Sequence, residues 1–412
     1  MTQTVKNQNR KIFNDIVKLM ENDYAGARDI TVDAQPFFQQ LENLSGPKAF
    51  QYMVEDYLRC FHDGHVTLSS KKTTTLGFSC RRFANSLFVT QVTAEKRLQP
   101  GDQIVAVDGE TIPKLGERYA DQLDAYLDRQ MWGFLLARAQ QLTVRTATGE
   151  KAITLKHYPY TYRAQHEWRL LNENTGYLKL TDFANPDVLT NLFTKNQTTF
   201  DRLEYLIVDM RINYGGNDAT YTPLLAYFAD QPTDIVAKLP ANFNYEFWWT
   251  IRNKKNWLTA LKTLQEANPT PAMHHLYQEQ SDFWQSALTL KQASQRQGSD
   301  KMVIQPRGHL RHVYILSDYL AGSAGDNFVR LAKTFSKVTV VGRNTMGIVD
   351  YGDVAEQVYP NFSVAYPVSR LAMLDEAEGT NGIGIAPDVR LPWTPKAIFQ
   401  DSDLAYVLNL IS

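Results

Sequence analysis

A serine that stands just before a predicted helix is the residue whose setting first points to chemistry. Ser323 lies in the small-residue run 321–327, after the apolar stretch 313–316 and before a helical pattern of apolar residues at 328–335. A strand, a tight turn and a helix would place its hydroxyl at a helix N-terminus, where free backbone N–H groups stabilise developing negative charge. This arrangement predicts acyl transfer on Ser323. The alternative is a serine that only caps the helix.

A pair of glycines after another predicted strand adds to this setting. The apolar stretch 206–210 predicts a buried strand, and Gly215 and Gly216 follow in the turn after it. Glycines let the backbone present bare N–H groups to a ligand at close range. The turn therefore predicts half of an oxyanion hole, whereas the alternative is a strand-to-helix loop that needs positive φ.

Two histidines lie close together in the chain, with Asp63 and Gly64 between them. His62 and His65 could form a metal-binding pair, but no third ligand follows at a suitable spacing. The sequence therefore predicts no metal, and no pattern for another cofactor occurs.

Composition limits the classes of protein that the chain can represent. With 412 residues, 43% of them hydrophobic, the chain is long enough for two or three globular domains. The formal net charge is -1 and no long run of Lys and Arg occurs, so we expect no nucleic-acid partner. Cys60 and Cys80 are too few for a disulfide framework, which favours a reducing compartment.

Membrane and export signals are also missing from the sequence pattern. No stretch of about 18 apolar residues occurs, and residues 1–18 lack the continuous apolar core of a signal peptide. The sequence therefore predicts a cytoplasmic protein without a membrane partner.

The apolar spacing predicts an α/β protein with three regions. Residues 1–74 form an N-terminal helical segment that carries His65, and residues 161–412 alternate strands with helices, which implies βα crossovers and a largely parallel sheet. Residues 238–301 interrupt this region as an aromatic-rich helical insertion, which we interpret as a packed cap rather than a ligand-binding box. Within residues 75–160, the apolar pattern predicts a helix at 119–127 and strands at 87–92, 103–107, 142–146 and 152–155.

The segment 98–112 has a distinctive order of turn, strand and turn. Pro100, Gly101 and Asp102 predict a turn, residues 103–107 a strand, and Asp108-Gly109 a hairpin turn. This order resembles the core of a PDZ domain, which binds extended peptides by strand addition. The alternative is an ordinary hairpin.

Five short blocks together resemble the C-terminal processing and tricorn-type serine peptidases, in that family's order and with the PDZ-like segment where the family carries one. The resemblance extends over about residues 55–395, and its blocks are residues 63–65, 209–216, 323–328, 341–347 and 384–389. It implies a crotonase-like (ClpP-like) ββα catalytic domain and an acyl-enzyme intermediate. Ser323 would be the nucleophile, Ala324 would supply one oxyanion N–H, and Gly215 or Gly216 would supply the other.

The resemblance also implies the general base that a serine hydroxyl needs. Processing-type members place a Lys where this chain has Ile348, whose side chain cannot accept a proton. Tricorn-type members use a His in the block that matches residues 63–65, so His65 is the implied base.

The residue that orients the base departs from the family pattern. Tricorn-type members have a Glu at the register that falls on Asn381 here. An Asn can orient a neutral imidazole but cannot stabilise an imidazolium as a carboxylate does. We assign Asn381 by register, keep Glu378 as its rival, and note Glu376 and Asp350 as nearby substitutes.

The resulting hypothesis is a serine endopeptidase or oligopeptidase that acts on peptides or unfolded proteins and forms a homo-oligomer. The PDZ-like segment would tether a peptide tail or gate the site. One alternative is an inactive peptide-binding protein of the same fold, which the missing acid at residue 381 favours. Another is acyl-CoA chemistry, against which the PDZ-like segment and the setting of Ser323 argue.

Overall fold

The computed structural model describes residues 3–71, 73–267, 269, 271–290 and 301–411. Part of the predicted insertion, residues 291–300, lies outside the described residues. The α-helices are α1 Gln3–Asn22, α2 Gln35–Leu41, α3 Pro47–Arg59, α4 Ile112–Arg118, α5 Gly133–Arg138, α6 Asp187–Phe200, α7 Thr222–Leu225, α8 Ile251–Ala267, α9 Pro271–Leu290, α10 Ala324–Ala332 and α11 Ser402–Ile411.

The strands are short and spread along the whole chain. They are β1 Thr67–Ser70, β2 Thr74–Thr75, β3 Phe78–Phe83, β4 Ser86–Val92, β5 Gln103–Val107, β6 Glu110–Thr111, β7 Gln141–Thr146, β8 Gly149–Thr154, β9 Tyr158–Pro159, β10 Glu167–Leu170, β11 Thr175–Lys179, β12 Tyr205–Asp209, β13 Ile212–Asn213, β14 Thr233–Asp234, β15 Tyr245–Phe247, β16 Val303–Ile304, β17 His312–Ser317, β18 Leu320–Ala321, β19 Val338–Gly342, β20 Tyr351–Val358, β21 Phe362–Leu371 and β22 Val389–Arg390.

The chain divides into two compact units, which we describe separately. The histidine unit consists of Met1–Lys71, Asp234–Val303 and Gly347–Asn381. The serine unit consists of Lys72–Thr233, Ile304–Met346 and Gly382–Ser412. Each unit is named after the predicted catalytic side chain that it carries.

An antiparallel sheet and several helices form the histidine unit. The long strand β21 pairs with β20 over most of its length, and with β1 and β15 at residues 362–365 and 369–371. Apolar residues recur along α1 and α3 at helical spacing, so that each helix buries one face. The core that they share with the sheet includes Phe13, Ile16, Leu19, Phe50, Met53, Tyr57, Phe362, Val364 and Tyr366.

Aromatic side chains of the insertion pack into this same core. Trp284 of α9 is almost fully buried, and its ring lies 4.6 Å from that of Trp249 at an angle of 76°. Phe247 of β15 belongs to the same cluster. Edge-to-face pairs of this kind add to the stability gained from apolar burial.

The predicted parallel sheet is confirmed in the serine unit. Its strands follow the order β10-β11-β12-β17-β19-β22, and all neighbours are parallel except β10 and β11. The central strands are continuous apolar runs, as expected for strands covered on both faces. Val407 of α11 packs on one face with Ile207, Leu316 and Val341.

The serine unit also contains an antiparallel sheet in the order β3-β4-β5-β7-β8, with β6 beside β5. Its strands agree with the four strands predicted between residues 87 and 155, but the helix predicted at 119–127 is wrong. The helix is α4, which starts directly after β6 with Pro113 in its first turn, where no N–H is required. Beyond it, Asp124 accepts a hydrogen bond from the N–H of Tyr126 at 2.8 Å, which favours a turn over a helix.

No helix in the described part of the chain has both the length and the apolar character needed to span a bilayer. The described residues also hold no group of three or more His, Cys, Asp or Glu side chains suited to a metal ion. Within the same residues, Cys60 and Cys80 form no disulfide bond.

Candidate active site

Ser323 begins α10 in a strained backbone conformation. It is the N-cap residue, with φ 59° and ψ −122°. A positive φ is unfavourable for a residue with a side chain and costs about 1–3 kcal/mol, so surrounding contacts must hold it. Its N–H donates to the buried carboxylate of Asp326 at 2.9 Å, and the N–H of Gly322 donates to the carbonyl of Asn213 at 2.9 Å. The half-buried serine is therefore fixed from two sides.

The glycine turn lies directly against this serine. Gly215 has φ 75°, and a Cβ added to it would lie 2.7 Å from the Cβ of Ser323 and 3.1 Å from the nitrogen of Ala324. Its own N–H donates to the side-chain oxygen of Asn213 at 3.0 Å. By contrast, the N–H groups of Gly216 and Ala324 have no acceptor among the described residues. Of the two glycines, Gly216 thus offers the available donor.

A buried ion cluster holds the strand end that leads to Ser323. Asp318 follows β17 and accepts hydrogen bonds from the guanidinium of Arg81 at 2.6 and 2.9 Å and from Arg343 at 2.7 Å. Arg343 also pairs with Asp403 of α11 at 2.8 Å. Burial opposes ionisation of Asp318, but the charges of Arg81 and Arg343 outweigh it and lower its pKa. The cluster thus joins the antiparallel sheet to the residue directly after β17, five residues before Ser323.

Arg129 supports the segment that contacts the turn before Ser323. The N–H of Met346 donates to the carbonyl of Ala321 at 2.7 Å, so this turn contacts the segment that contains Met346. Arg129 is buried and pairs with Asp124 at 2.8 Å. Its guanidinium donates to main-chain carbonyls of Asn344, Thr345, Met346 and Gly382. Arg129 therefore fixes the segment on which Ala321 rests.

His65, in the histidine unit, has an orientation that suits a base. Its Nδ1 lies 2.8 Å from the carbonyl oxygen of Tyr351, and its backbone N–H donates to Asp63 at 2.9 Å. Because a carbonyl only accepts, Nδ1 of the neutral ring must carry the proton, which leaves Nε2 as an acceptor. The ring is thus in the tautomer that general-base catalysis needs.

Two buried carboxyl groups lie near this ring. Burial raises the pKa of Asp63, and the charge of His65 partly opposes that rise. Asp63 also accepts a hydrogen bond from the buried hydroxyl of Tyr24 at 2.9 Å. Burial likewise raises the pKa of Asp353, against the effects of the Ser369 hydroxyl bonded to it and of His65. Burial therefore biases both carboxyl groups toward their neutral forms.

The four candidates for the orienting residue have other partners. The side chain of Asn381 donates to the carbonyl of His62 at 2.7 Å. Glu376 and Glu378 are exposed, and both accept from the side chain of Asn242. Among the described hydrogen bonds, the contact to the His65 ring comes from the Tyr351 carbonyl instead. The sequence carries no sign of it, because every residue type has a carbonyl.

Asp350 holds the turn that carries Asn381. Its carboxylate accepts from the backbone N–H groups of Thr380 and Asn381, each at 2.8 Å, and from the Thr380 hydroxyl at 3.0 Å. In the same unit, Ile348 packs against Gly64, where an added Cβ would lie 2.6 Å from the Ile348 side chain. Ile348, at the position of the processing-type Lys, therefore packs against the segment that carries His65.

The chain is similar to one family model and to several solved structures. The family model described as Peptidase family S41 matches residues 174–391. The structure of mature CPAF complexed with lactacystin is similar with a TM-score of 0.67 at 14% identity, over 99% of this chain and 98% of that one. The structure of mature CPAF has a TM-score of 0.66 at 15% identity, over 99% of this chain and 97% of that one. The photosystem II D1 C-terminal processing protease has a TM-score of 0.45 at 13% identity, over 99% of this chain and 98% of that one. The likeness to CPAF shows a shared mixed α/β fold.

Proposed function

The chain belongs to peptidase family S41 and is a serine peptidase, and we propose that Ser323 is its nucleophile, with His65 as the general base. The observation that carries the proposal is the setting of Ser323, a strained N-cap residue packed against the glycine turn. A serine that only capped a helix would not need a positive φ, because N-cap residues adopt extended backbone angles at no cost. The strain therefore supports a functional role.

The proposed reaction follows from the groups around each residue. Nε2 of His65 accepts the hydroxyl proton while Oγ of Ser323 attacks the peptide carbonyl carbon. The N–H groups of Ala324 and Gly216 receive the negative charge that develops on the carbonyl oxygen. His65 then returns the proton to the leaving amine. In the second step His65 takes a proton from water as the water oxygen attacks the acyl carbon, and it gives this proton to Oγ of Ser323 as the bond between Oγ and the acyl carbon breaks.

We assign the orienting role to the Tyr351 carbonyl. It occupies the Nδ1 side of His65, where the carboxylate of a Ser-His-Asp triad would lie. Asn381 then acts as a positioning residue, because its amide holds the carbonyl of His62. Because a carbonyl carries no full charge, it orients the ring without supplying the ion pair that a triad carboxylate provides.

The finer description of the fold is part of the proposal. We propose that residues 75–160 form a PDZ-like domain, in support of which β5 and β6 form a hairpin at the predicted Asp108-Gly109 turn. Residues 161–412 would be the crotonase-like catalytic domain with the insertion 238–301, and residues 1–74 the segment that carries His65. The substrates would be peptides and unfolded proteins. A cytoplasmic location, which the cysteine content favours, and a homo-oligomeric state stay predictions.

A fluorophosphonate probe tests the assignment directly. The Oγ of Ser323 would form a bond to phosphorus as fluoride leaves and His65 takes the proton. Mass spectrometry should find the label on Ser323 in the wild type, no label in Ser323→Ala, and labelling slowed by at least about a thousandfold in His65→Ala. Cleavage of a reduced and alkylated polypeptide should follow the same order.

A neighbouring histidine provides the control. His62→Asn removes an imidazole next to His65 but keeps the carbonyl that Asn381 binds, and Asn tolerates the φ of 50° at this position. It should label at nearly the wild-type rate. Absence of label on wild-type Ser323, with peptides still bound, would contradict the proposal and favour the peptide-binding alternative.

A further inference from the structure

Three exposed tyrosines stand close to the glycine turn. Tyr160 and Tyr162, from the Tyr- and Pro-rich segment 157–168, are 45% and 41% exposed, and Tyr214 is 54% exposed. We call these residues the tyrosine patch. Exposed aromatic rings that cluster are unusual on a protein surface and mark sites of interaction.

Two rings of the patch contact each other in a defined arrangement. The centroids of Tyr162 and Tyr214 are 5.6 Å apart with an interplanar angle of 83°. The hydroxyl of Tyr162 donates to Asp182 at 2.6 Å, and burial together with this carboxylate raises its pKa to about 12. Partial burial raises the pKa of Tyr214, and nearby Tyr160 adds to the shift. Tyr162 and Tyr214 are therefore held in place before any partner binds.

The patch and the glycine turn are built from the same segments. The N–H of Tyr214 donates to the carbonyl of Thr181 at 3.0 Å, and the N–H of Phe183 donates to the carbonyl of Gly215 at 2.7 Å. Tyr214 directly precedes Gly215, which lies against Ser323. A polypeptide whose carbonyl reached the N–H of Gly216 would therefore carry its neighbouring side chains past the patch.

We infer that the tyrosine patch binds aromatic and large apolar side chains of the substrate chain next to the bond that is cut. This inference rests on the proposed function of Ser323. Tyrosine suits the task because it offers a large rigid surface at little entropic cost. Tyrosines that become buried when a partner binds often contribute most of the binding energy. The occupant is an unfolded polypeptide, because a folded protein keeps such side chains inside.

Two matched peptides test the inference. They carry a fluorophore and a quencher and differ only in one residue beside the cleaved bond, Phe in one and Asn in the other. The wild type should prefer the Phe peptide. Tyr214→Ala and Tyr162→Ala should lower kcat/KM for the Phe peptide by about tenfold, mainly through KM, and should change the Asn peptide by less than about threefold. Tyr162→Phe, which keeps the ring, should retain most of the preference.

Two further measurements separate specificity from structure. Tyr126→Ala removes a tyrosine that is 58% exposed and outside the patch, and it should leave the preference unchanged. The rate of fluorophosphonate labelling of Ser323 in Tyr126→Ala should equal that of the wild type. An equal loss of kcat/KM for both peptides in Tyr162→Ala and Tyr214→Ala would overturn the inference in favour of a structural role.

Binding measurements keep the inference testable without turnover. In the Ser323→Ala background, fluorescence anisotropy should show the Phe peptide binding more tightly than the Asn peptide, with the difference lost in the Tyr214→Ala double variant. If the patch variants instead change the mass of the particle in solution, a second copy of the chain occupies the patch and the inference is wrong. Failure of wild-type labelling would contradict the proposed function, whereas normal labelling without a Phe preference would contradict this inference alone.

Discussion

Arg81 of β3 and Asp318, which directly follows β17, form a buried two-bond ion pair across 237 residues of sequence. Asp318 also binds Arg343, so the carboxylate lies between two guanidinium groups. The Arg81 guanidinium lies over the ring of Tyr319 at 4.5 Å and over that of Trp393 at 5.0 Å. The ammonium group of a Lys could not replace this planar guanidinium, which is both stacked on aromatic rings and paired by two hydrogen bonds.

Replacing Arg81 by Met should therefore be costly. Removal of one partner of a buried ion pair typically destabilises by 3–5 kcal/mol, and because Arg343 stays on Asp318 we expect about 3 kcal/mol. Urea unfolding measures the change. The control is Arg145→Met in the same sheet, whose partner Glu150 is 49% exposed and whose loss should cost less than about 1 kcal/mol. Equal effects of the two changes would show that the Arg81 pair contributes no more than a surface pair.

The same carboxylate should make stability depend on pH. The pKa of Asp318 in the folded protein lies below its ordinary value of 3.8, because Arg81 and Arg343 outweigh burial. Ionised Asp318 therefore stabilises the fold above that value, and the contribution is lost as the pH falls through the folded pKa. Asp318→Asn should be less stable than the wild type at neutral pH, by an amount that shrinks below about pH 4. A difference in unfolding free energy that stays constant with pH would contradict this.

Local patterns predicted the parts of the fold that local residues decide. The strand and helix around Ser323 and the glycine turn follow from apolar spacing and small residues, and the structure has β17, α10 and the positive φ of Gly215 at those places. The helix at 119–127 was misplaced because the helix start after β6 depends on Pro113, whereas the apolar spacing continues beyond the true end.

Local sequence patterns could not predict contacts between distant residues. The Tyr351 carbonyl and the His65 ring are 286 residues apart, and a backbone oxygen leaves no trace in residue type. The ion pair of Arg81 with Asp318 is equally non-local. The antiparallel pair β20 and β21, which supplies Tyr351 and Asp353, was also not predicted. The sequence therefore predicted His65 as a base but not the carbonyl that contacts its ring.

The candidates for the orienting residue should separate in a mutant series. Glu376→Gln and Glu378→Gln should keep kcat within about twofold of the wild type, because both carboxylates are exposed and contact Asn242. Asp350→Ala should lower both kcat and stability, since the N–H groups of Thr380 and Asn381 lose a charged acceptor, at about 1.5–3 kcal/mol. Peptide cleavage and urea unfolding measure the two effects. A loss of kcat confined to Glu378→Gln would instead support Glu378 as the orienting acid.

Gly215→Ala should abolish most activity for a reason that a matched glycine makes visible. Both Gly215 and Gly109 have positive φ, at 75° and 82°, so an Ala at either site carries a similar backbone strain of about 1 kcal/mol. At Gly109 the new methyl group meets nothing within 4 Å, but at Gly215 it would lie 2.7 Å from the Cβ of Ser323.

In Gly215→Ala the glycine turn must therefore move away from Ser323, and its N–H donors move with it. Because loss of one oxyanion donor costs a factor of about 10²–10³ in kcat, we expect at least that loss in Gly215→Ala and nearly unchanged kcat in Gly109→Ala. Similar kcat values for the two variants would mean that the glycine turn plays no part in stabilising the oxyanion.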